Sequence, residues 1–290
     1  MFALGDCMNA FETKSAFDIP VTRISSSTSW LALGLGELWD HRELLYFFVW
    51  RDVKVRYKQT AIGAAWAIIQ PILTVVTFTI LFDKFAKMPS DGLPYPIFSY
   101  AALLPWNYFA KSLNGSIGSV VAGAHLITKV YFPRLLLPIS ATVSGLIDFG
   151  ISFIFLLVMM AWYGIMPTWG VLLLPCFILL TMLTALSVGL WLAVINVRFR
   201  DVGQATSFFI QIWLFASPVA YPVSVVPEKW RALYSLNPMA GVIEGFRWAL
   251  LGKQMPDIGS IITSAAVVLL LLVGGIIFFK RMENTFADIV

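Results

Sequence analysis

Long apolar runs alternate with short polar or basic connections along the whole chain, and their length predicts membrane-crossing helices. A helix needs about 20 predominantly apolar residues to cross a hydrocarbon layer of about 30 Å. Run length and the breaker residues between runs predict spans near 61–82, 97–121, 135–163, 170–195, 205–222 and 258–279. Six crossings return the chain to the side where it began. Arg42, Arg51, Lys54, Arg56 and Lys58 precede the first span, Lys129 and Arg134 follow the second, Arg198 and Arg200 the fourth, Lys280 and Arg281 the sixth. The excess of basic residues on these alternate connections predicts that both termini are cytoplasmic.

Two segments depart from simple crossing. Residues 37–60 read as a cytoplasmic interface helix: "LLYFFVW" is apolar all round, and beyond it Arg51, Lys54 and Lys58 share one ridge. Asp52 and Arg56, four apart, are expected to pair on another ridge. Between spans five and six, "SPVAYPVSVVPEKWRALYSLNPMAGVIEGFRWALLGKQMP" is too apolar for a solvated loop and too broken by proline to cross. It is expected to dip into the outer leaflet and line a cavity mouth, with a turn at Asn237 and Pro238 and a short helix from Met239 to Leu251. Residues 1–36 read as a mobile cytoplasmic tail, and 283–290 as a cytoplasmic C-terminal tail.

Composition narrows the class. The chain is 59% apolar and 12% charged, so its basic excess is a topology signal and no nucleic-acid partner is implied. Cys7 and Cys176 have no metal-ligand spacing, and neither a disulfide nor a metal site is expected. With two histidines, no HExxH and no Walker loop, the chain lacks the residues of a metalloprotease or a nucleotide hydrolase. An intramembrane enzyme would need paired acids or a Ser and His at depth, whereas the predicted spans hold one acid, Asp148.

Asp148 and Lys111 lie near the middle of spans three and two. Ser140, Ser144, Asp148 and Ser152 recur every four residues, and Asn107, Lys111, Asn114 and Gly118 form a second helical stripe. The spans run in opposite directions, so both charges fall at similar depth and a Lys111–Asp148 contact is expected. It reads either as a cation relay or as an interhelical clamp beside a watery pathway, and exchanging the two residues is expected to do less damage than neutralising one. Trp66, Trp106, Tyr108, Phe109, Phe209 and Trp213 read either as lipid-facing packing or as the aromatic lining of a sugar pathway, with Trp106 and Phe109 the best placed.

In order, "RDVKVRYKQTAIGAAWAIIQP", "LLPWNYF", "ITKVYFPRLLLP", "NVRFRDV" and "YPVSVVPEKWRALYSLNPMAGVIEGFRWALLG" resemble the membrane subunit of polysaccharide exporters of the ABC-2 type, over roughly residues 37–281. The resemblance implies an all-α integral membrane protein: six transmembrane helices, an N-terminal interface helix, and re-entrant helices between spans five and six. It implies a bacterial inner-membrane subunit that is not itself catalytic. A second copy, two ATPase subunits and a lipid-linked glycan would be its partners, with ATP and Mg on the ATPases and no cofactor on this chain. Carried over by position, Lys129, Tyr131, Arg134, Arg198, Arg200 and Asp201 would couple to the ATPase. Asn237 and Pro238 would form the turn of the outer gate, while Glu244 and Arg247 would pair locally or face the lumen. A drug or lipid exporter and an ion-coupled carrier are the competing readings.

Overall fold

The computed structural model describes residues 35–58, 65–253 and 255–289; residues 1–34 of the expected N-terminal tail (1–36), the last two residues of the expected interface helix (59–60) and the start of the first span (61–64) lie outside the described residues. Among the described residues the regular elements are all helices. In chain order they are α1 (Leu35–Asp40), α2 (Arg42–Lys58), α3 (Trp66–Phe78), α4 (Tyr95–Ala122), α5 (Ala124–Ile127), α6 (Leu136–Tyr163), α7 (Leu174–Arg198), α8 (Val202–Ala216), α9 (Glu228–Tyr234), α10 (Pro238–Leu251) and α11 (Ile258–Ile289). The last turns of α3 widen into a π-helical stretch over Thr79–Phe85.

Four helical stretches are long and apolar enough to cross a membrane: Ile68–Phe85, Leu136–Tyr163, Trp169–Arg198 and Ile258–Glu283. The other two expected spans have different characters. The helix α4 has 28 residues, about 42 Å at ~1.5 Å per residue, but it carries Asn107, Lys111 and Asn114 and packs against α6 on one side and α7 on the other. Its surroundings are largely protein, which tolerates polar side chains that lipid would exclude. At 15 residues α8 is about 22 Å long, short of the hydrocarbon thickness.

Two cores hold the bundle. One gathers α4, α6, α7 and α10 around Phe98, Phe109, Phe177, Phe246 and Trp248. The other lies at the α5 end, where Phe48 of α2, Phe132, Val197 and the α11 residues Phe279 and Phe286 are buried together. The segment from 283, expected to be a tail, therefore continues α11 and is docked: Phe286 is 1% exposed. Between α7 and α11, Gly274 and Gly275 lie against the Trp191 ring, whose indole N–H donates to the Leu271 carbonyl at 2.9 Å. A Cβ at Gly274 would come within 2.9 Å of that ring, so glycine is what lets the two helices close over a tryptophan.

Candidate functional site

The helix α2 packs along α6, and the two elements meet at Asp148. Arg56 Nη1 donates to Asp148 Oδ2 at 2.5 Å, the Tyr57 hydroxyl donates to Oδ1, and Lys111 Nζ of α4 donates to Oδ2 at 3.0 Å. One carboxylate thus ties together three helices. Its side chain is 8% exposed, against 35% for Arg56 and 49% for Lys111. Such burial is tolerable because charge-assisted hydrogen bonds replace the lost water. Burial and then the bond to Asp148 push the Tyr57 phenol up to about 12.

Local sequence explains the approach. Gly145 lies one turn before Asp148, and a Cβ there would come within 2.9 Å of Ser112 Oγ and 3.2 Å of the Tyr108 ring. The missing side chain lets α6 lie close to α4 so that Lys111 reaches the carboxylate. Tyr108 and Ser112 also donate to the Thr142 carbonyl, at 3.3 and 3.5 Å. Asn107, Lys111 and Asn114 of one polar stripe and Asp148 and Ser152 of the other line one cavity of about 220 Å³, bounded on its third side by α3, whereas Ser140 and Ser144 lie outside it and donate to the Leu137 and Ala141 carbonyls. Trp66, Gln70, Asn107, Lys111, Asn114 and Asp148 are among its lining residues.

Several expected roles change. The anticipated Asp52–Arg56 pair gives way: Asp52 accepts from its neighbour Arg51 at 2.8 and 3.0 Å, and Arg56 turns to Asp148. Within the basic ridge, Arg51 also stacks over Phe48, Lys54 lies 4.2 Å above the Trp50 ring centroid, and Lys58 is exposed. Trp106, Tyr108 and Phe109 are 3%, 3% and 0% exposed. Trp106 and Phe109 pack against Trp213, the Phe109 and Trp213 centroids lying 4.9 Å apart, because this face of α4 meets α8. That packing removes Trp106 and Phe109 from any open pathway in this conformation; Tyr108 reaches the cavity wall only in part, whereas Trp66 lines it and Phe209 is exposed on α8.

At the α10 end, Arg247 makes no direct ion pair with Glu244, which attracts it only from a distance, and its guanidinium is enclosed by backbone. It is 4% exposed and donates to the carbonyls of Pro218, Val219, Tyr221 and Phe98 at 2.7, 2.8, 3.3 and 3.4 Å, with its guanidinium over the Phe98 ring. The chain leaving α8 is irregular, its carbonyls lack helical donors, and the arginine fork supplies them. Asn237 caps α10 by accepting from Met239 N–H at 3.1 Å, and it also accepts from the Trp213 indole at 3.0 Å and donates to Ser217 Oγ at 2.9 Å. Pro238 opens that helix at a position needing no donor. Glu244 is the half-buried residue of an otherwise buried α10.

The expected coupling residues gather at the α5 end. Lys129, Tyr131, Arg198, Arg200 and Asp201 are exposed there. Arg134 is half-buried, its main-chain N–H donating to Glu283 Oε1 at 3.0 Å and its Nη1 enclosed without a hydrogen-bond partner. Sequence reasoning missed Tyr57, Gln70 and Glu283. For Tyr57 the signal was slight: it adjoins Arg56 in a chain whose predicted spans hold a single acid able to attract a donor.

Comparison with known proteins supplies the context for this geometry. The model of the ABC-2 type transporter family matches residues 43–251, from the second residue of α2 to the end of α10. The chain is similar to the O-antigen export system permease protein RfbA of Myxococcus xanthus, 33% identical over 257 residues that cover 88% of this chain and 98% of that protein. An RfbA of Klebsiella pneumoniae is 28% identical, over 73% of this chain and 81% of its own. The polysialic acid transport protein KpsM of Escherichia coli is 20% identical, over 69% and 78%. The family match spans the shared carboxylate, the polar cavity and the Arg247 clamp alike, and the chain accordingly belongs to the ABC-2 type transporter family as a membrane permease subunit.

Proposed function

We propose that this chain is the membrane subunit of an ATP-driven exporter that carries lipid-linked polysaccharide, of the O-antigen kind, out of the bacterial cytoplasm. The observation that carries the reading is the end-to-end similarity to an O-antigen export permease, covering 98% of that relative. The cavity is chemically compatible with it, since Trp66 offers a flat apolar face and Gln70, Asn107 and Asn114 offer amides to hydroxyls.

In this reading the chain works as a homodimer in the inner membrane with two ATPase subunits that hold ATP and Mg. The helices α4 and α8 complete a set of six spans, α2 lies at the cytoplasmic surface, α9 and α10 form the re-entrant cap at the outer face, and both termini are cytoplasmic. The α5 end then faces the ATPase through Lys129, Tyr131, Arg198, Arg200 and Asp201, with Arg134 holding the segment from within. Docking of α11 through Phe279, Glu283 and Phe286 makes that end stiff enough to transmit a push. Since α2 shares this core through Phe48 and reaches Asp148 through Arg56, a displacement at α5 is carried to the cavity wall.

The test is a null strain complemented with the chain and its ATPase. Surface glycan is expected to return with an active ATPase, and lipid-linked glycan to accumulate inside with one that cannot hydrolyse ATP. Export sustained by the inactive ATPase would sink the ATP-driven reading, and cysteine labelling of the two termini from outside would sink the topology.

A further inference from the structure

The charges around Asp148 do not balance. Two cations, Arg56 and Lys111, meet one carboxylate, and that carboxylate also accepts from Tyr57. Among the described cavity-lining residues Asp148 is the sole acid. Residues 59–64, which join α2 to α3, contain no acid in their sequence. Lys111 has three N–H donors, one of which is on Asp148, and its side chain is half exposed beside the cavity. Around it the wall offers the amides of Gln70, Asn107 and Asn114 and the Trp66 ring. Arg56 stands behind the wall on the same carboxylate, so a wall rich in donors is backed by a cluster with one positive charge in excess and its single anion already occupied, an arrangement suited to a second anion.

We infer that this cavity binds a phosphate ester or phosphate ion, with Lys111 as the charge contact and the Asn107 and Asn114 amides as orienting donors. A cavity of about 220 Å³ is large enough for the group, and a tetrahedral anion presents acceptors to several walls at once, as a second carboxylate would not. Asp148 acts here as a positioning residue: it holds Lys111 at the wall and sets the net charge. The phosphate comes either from a lipid headgroup, including the lipid end of an exported glycan, or from solution; the export reading matters only to which of these sources applies.

Binding of inorganic phosphate to the full-length chain in phosphate-free maltoside detergent, measured by calorimetry, tests the site without any export assay. Asn114 is exposed, bonds only weakly to Ser207 at 3.5 Å and is not a partner of Asp148, so its charge variants alter the charge beside Lys111 without removing any donor to the carboxylate. N114D is expected to weaken binding and N114K to tighten it, each by about tenfold, while K111M abolishes it. A second arm adds phosphatidic acid to the micelles and reads its retention by native mass spectrometry in the same variants. Retention of the lipid alone assigns the site to a headgroup, and binding of the free ion alone assigns it to soluble phosphate. Absence of both in the wild-type chain, or equal shifts in N114D and N114K, would overturn the inference, and neither result would touch the export reading.

Discussion

The Arg247 clamp and the Asp148 hub solve the same problem, a charge away from water, in opposite ways. Arg247 is satisfied by four backbone carbonyls and an aromatic face. Three of those acceptors, on Pro218, Val219 and Tyr221, belong to irregular chain that would otherwise lack donors, and the fourth, on Phe98, lies in α4, so the cation serves the backbone as much as the backbone serves it. Asp148 is satisfied by three side chains from two other helices, and its two cations remain one-third to one-half exposed. Backbone acceptors cannot turn away, whereas side chains can change rotamer and partner. The α10 end is therefore built to stay fixed, and the α2–α4–α6 meeting point is built to exchange ligands or move.

The sharpest way to break this contrast is at Arg247. R247A strands several buried carbonyls and should destabilise the detergent-solubilised protein by about 3 kcal/mol or more in thermal unfolding. R247K keeps the charge but loses the fork and should recover little; a lysine variant as stable as wild type would show that charge, not geometry, holds the cap.

At the hub the effects should be smaller and graded. D148N leaves two cations facing a neutral amide and is expected to lose about 2 kcal/mol, whereas K111Q, half exposed and screened, should lose about 1 kcal/mol or less. The exchange that sequence reasoning expected to be mild, K111D with D148K, should instead be as harmful as D148N, because it sets the new lysine against Arg56. Rescue by the exchange would mean that Arg56 does not engage residue 148.

An effect as small as that of K111Q concerns Tyr57. Y57F removes one hydrogen bond to the carboxylate and should cost about 1 kcal/mol near neutrality. Because the folded phenol lies at about 12, above its ordinary 10.0, its contribution is complete below the ordinary value and is lost as pH rises through the folded one. The stability gap between wild type and Y57F should therefore close on raising the pH through that window; a gap that widens would contradict the donor role of the phenol.

Much of this was legible in advance because it depends on local pattern. Run length marked the apolar helices, the four-residue recurrence of Ser140, Ser144, Asp148 and Ser152 marked a polar stripe, and Asn237 with Pro238 marked the start of α10. The roles of particular side chains were less legible. Trp106 and Phe109, beside a polar stripe, read as pathway residues, yet they pack on Trp213, more than 100 positions away in the chain. Arg247 read as half of a local pair because Glu244 lies three residues before it, but the carbonyls it holds belong to an irregular segment that no periodicity describes.

What the sequence determined by itself was the all-helical, membrane-embedded character of the chain and the two polar stripes, since hydrocarbon thickness and helical repeat act on residues close together. What only the tertiary structure decided was where the charges end. Arg56 joins Asp148 and not Asp52, and Arg247 joins backbone and not Glu244. Long side chains reach whatever acceptor packing brings near, and burial strengthens the contact that excludes water over the one nearest in sequence.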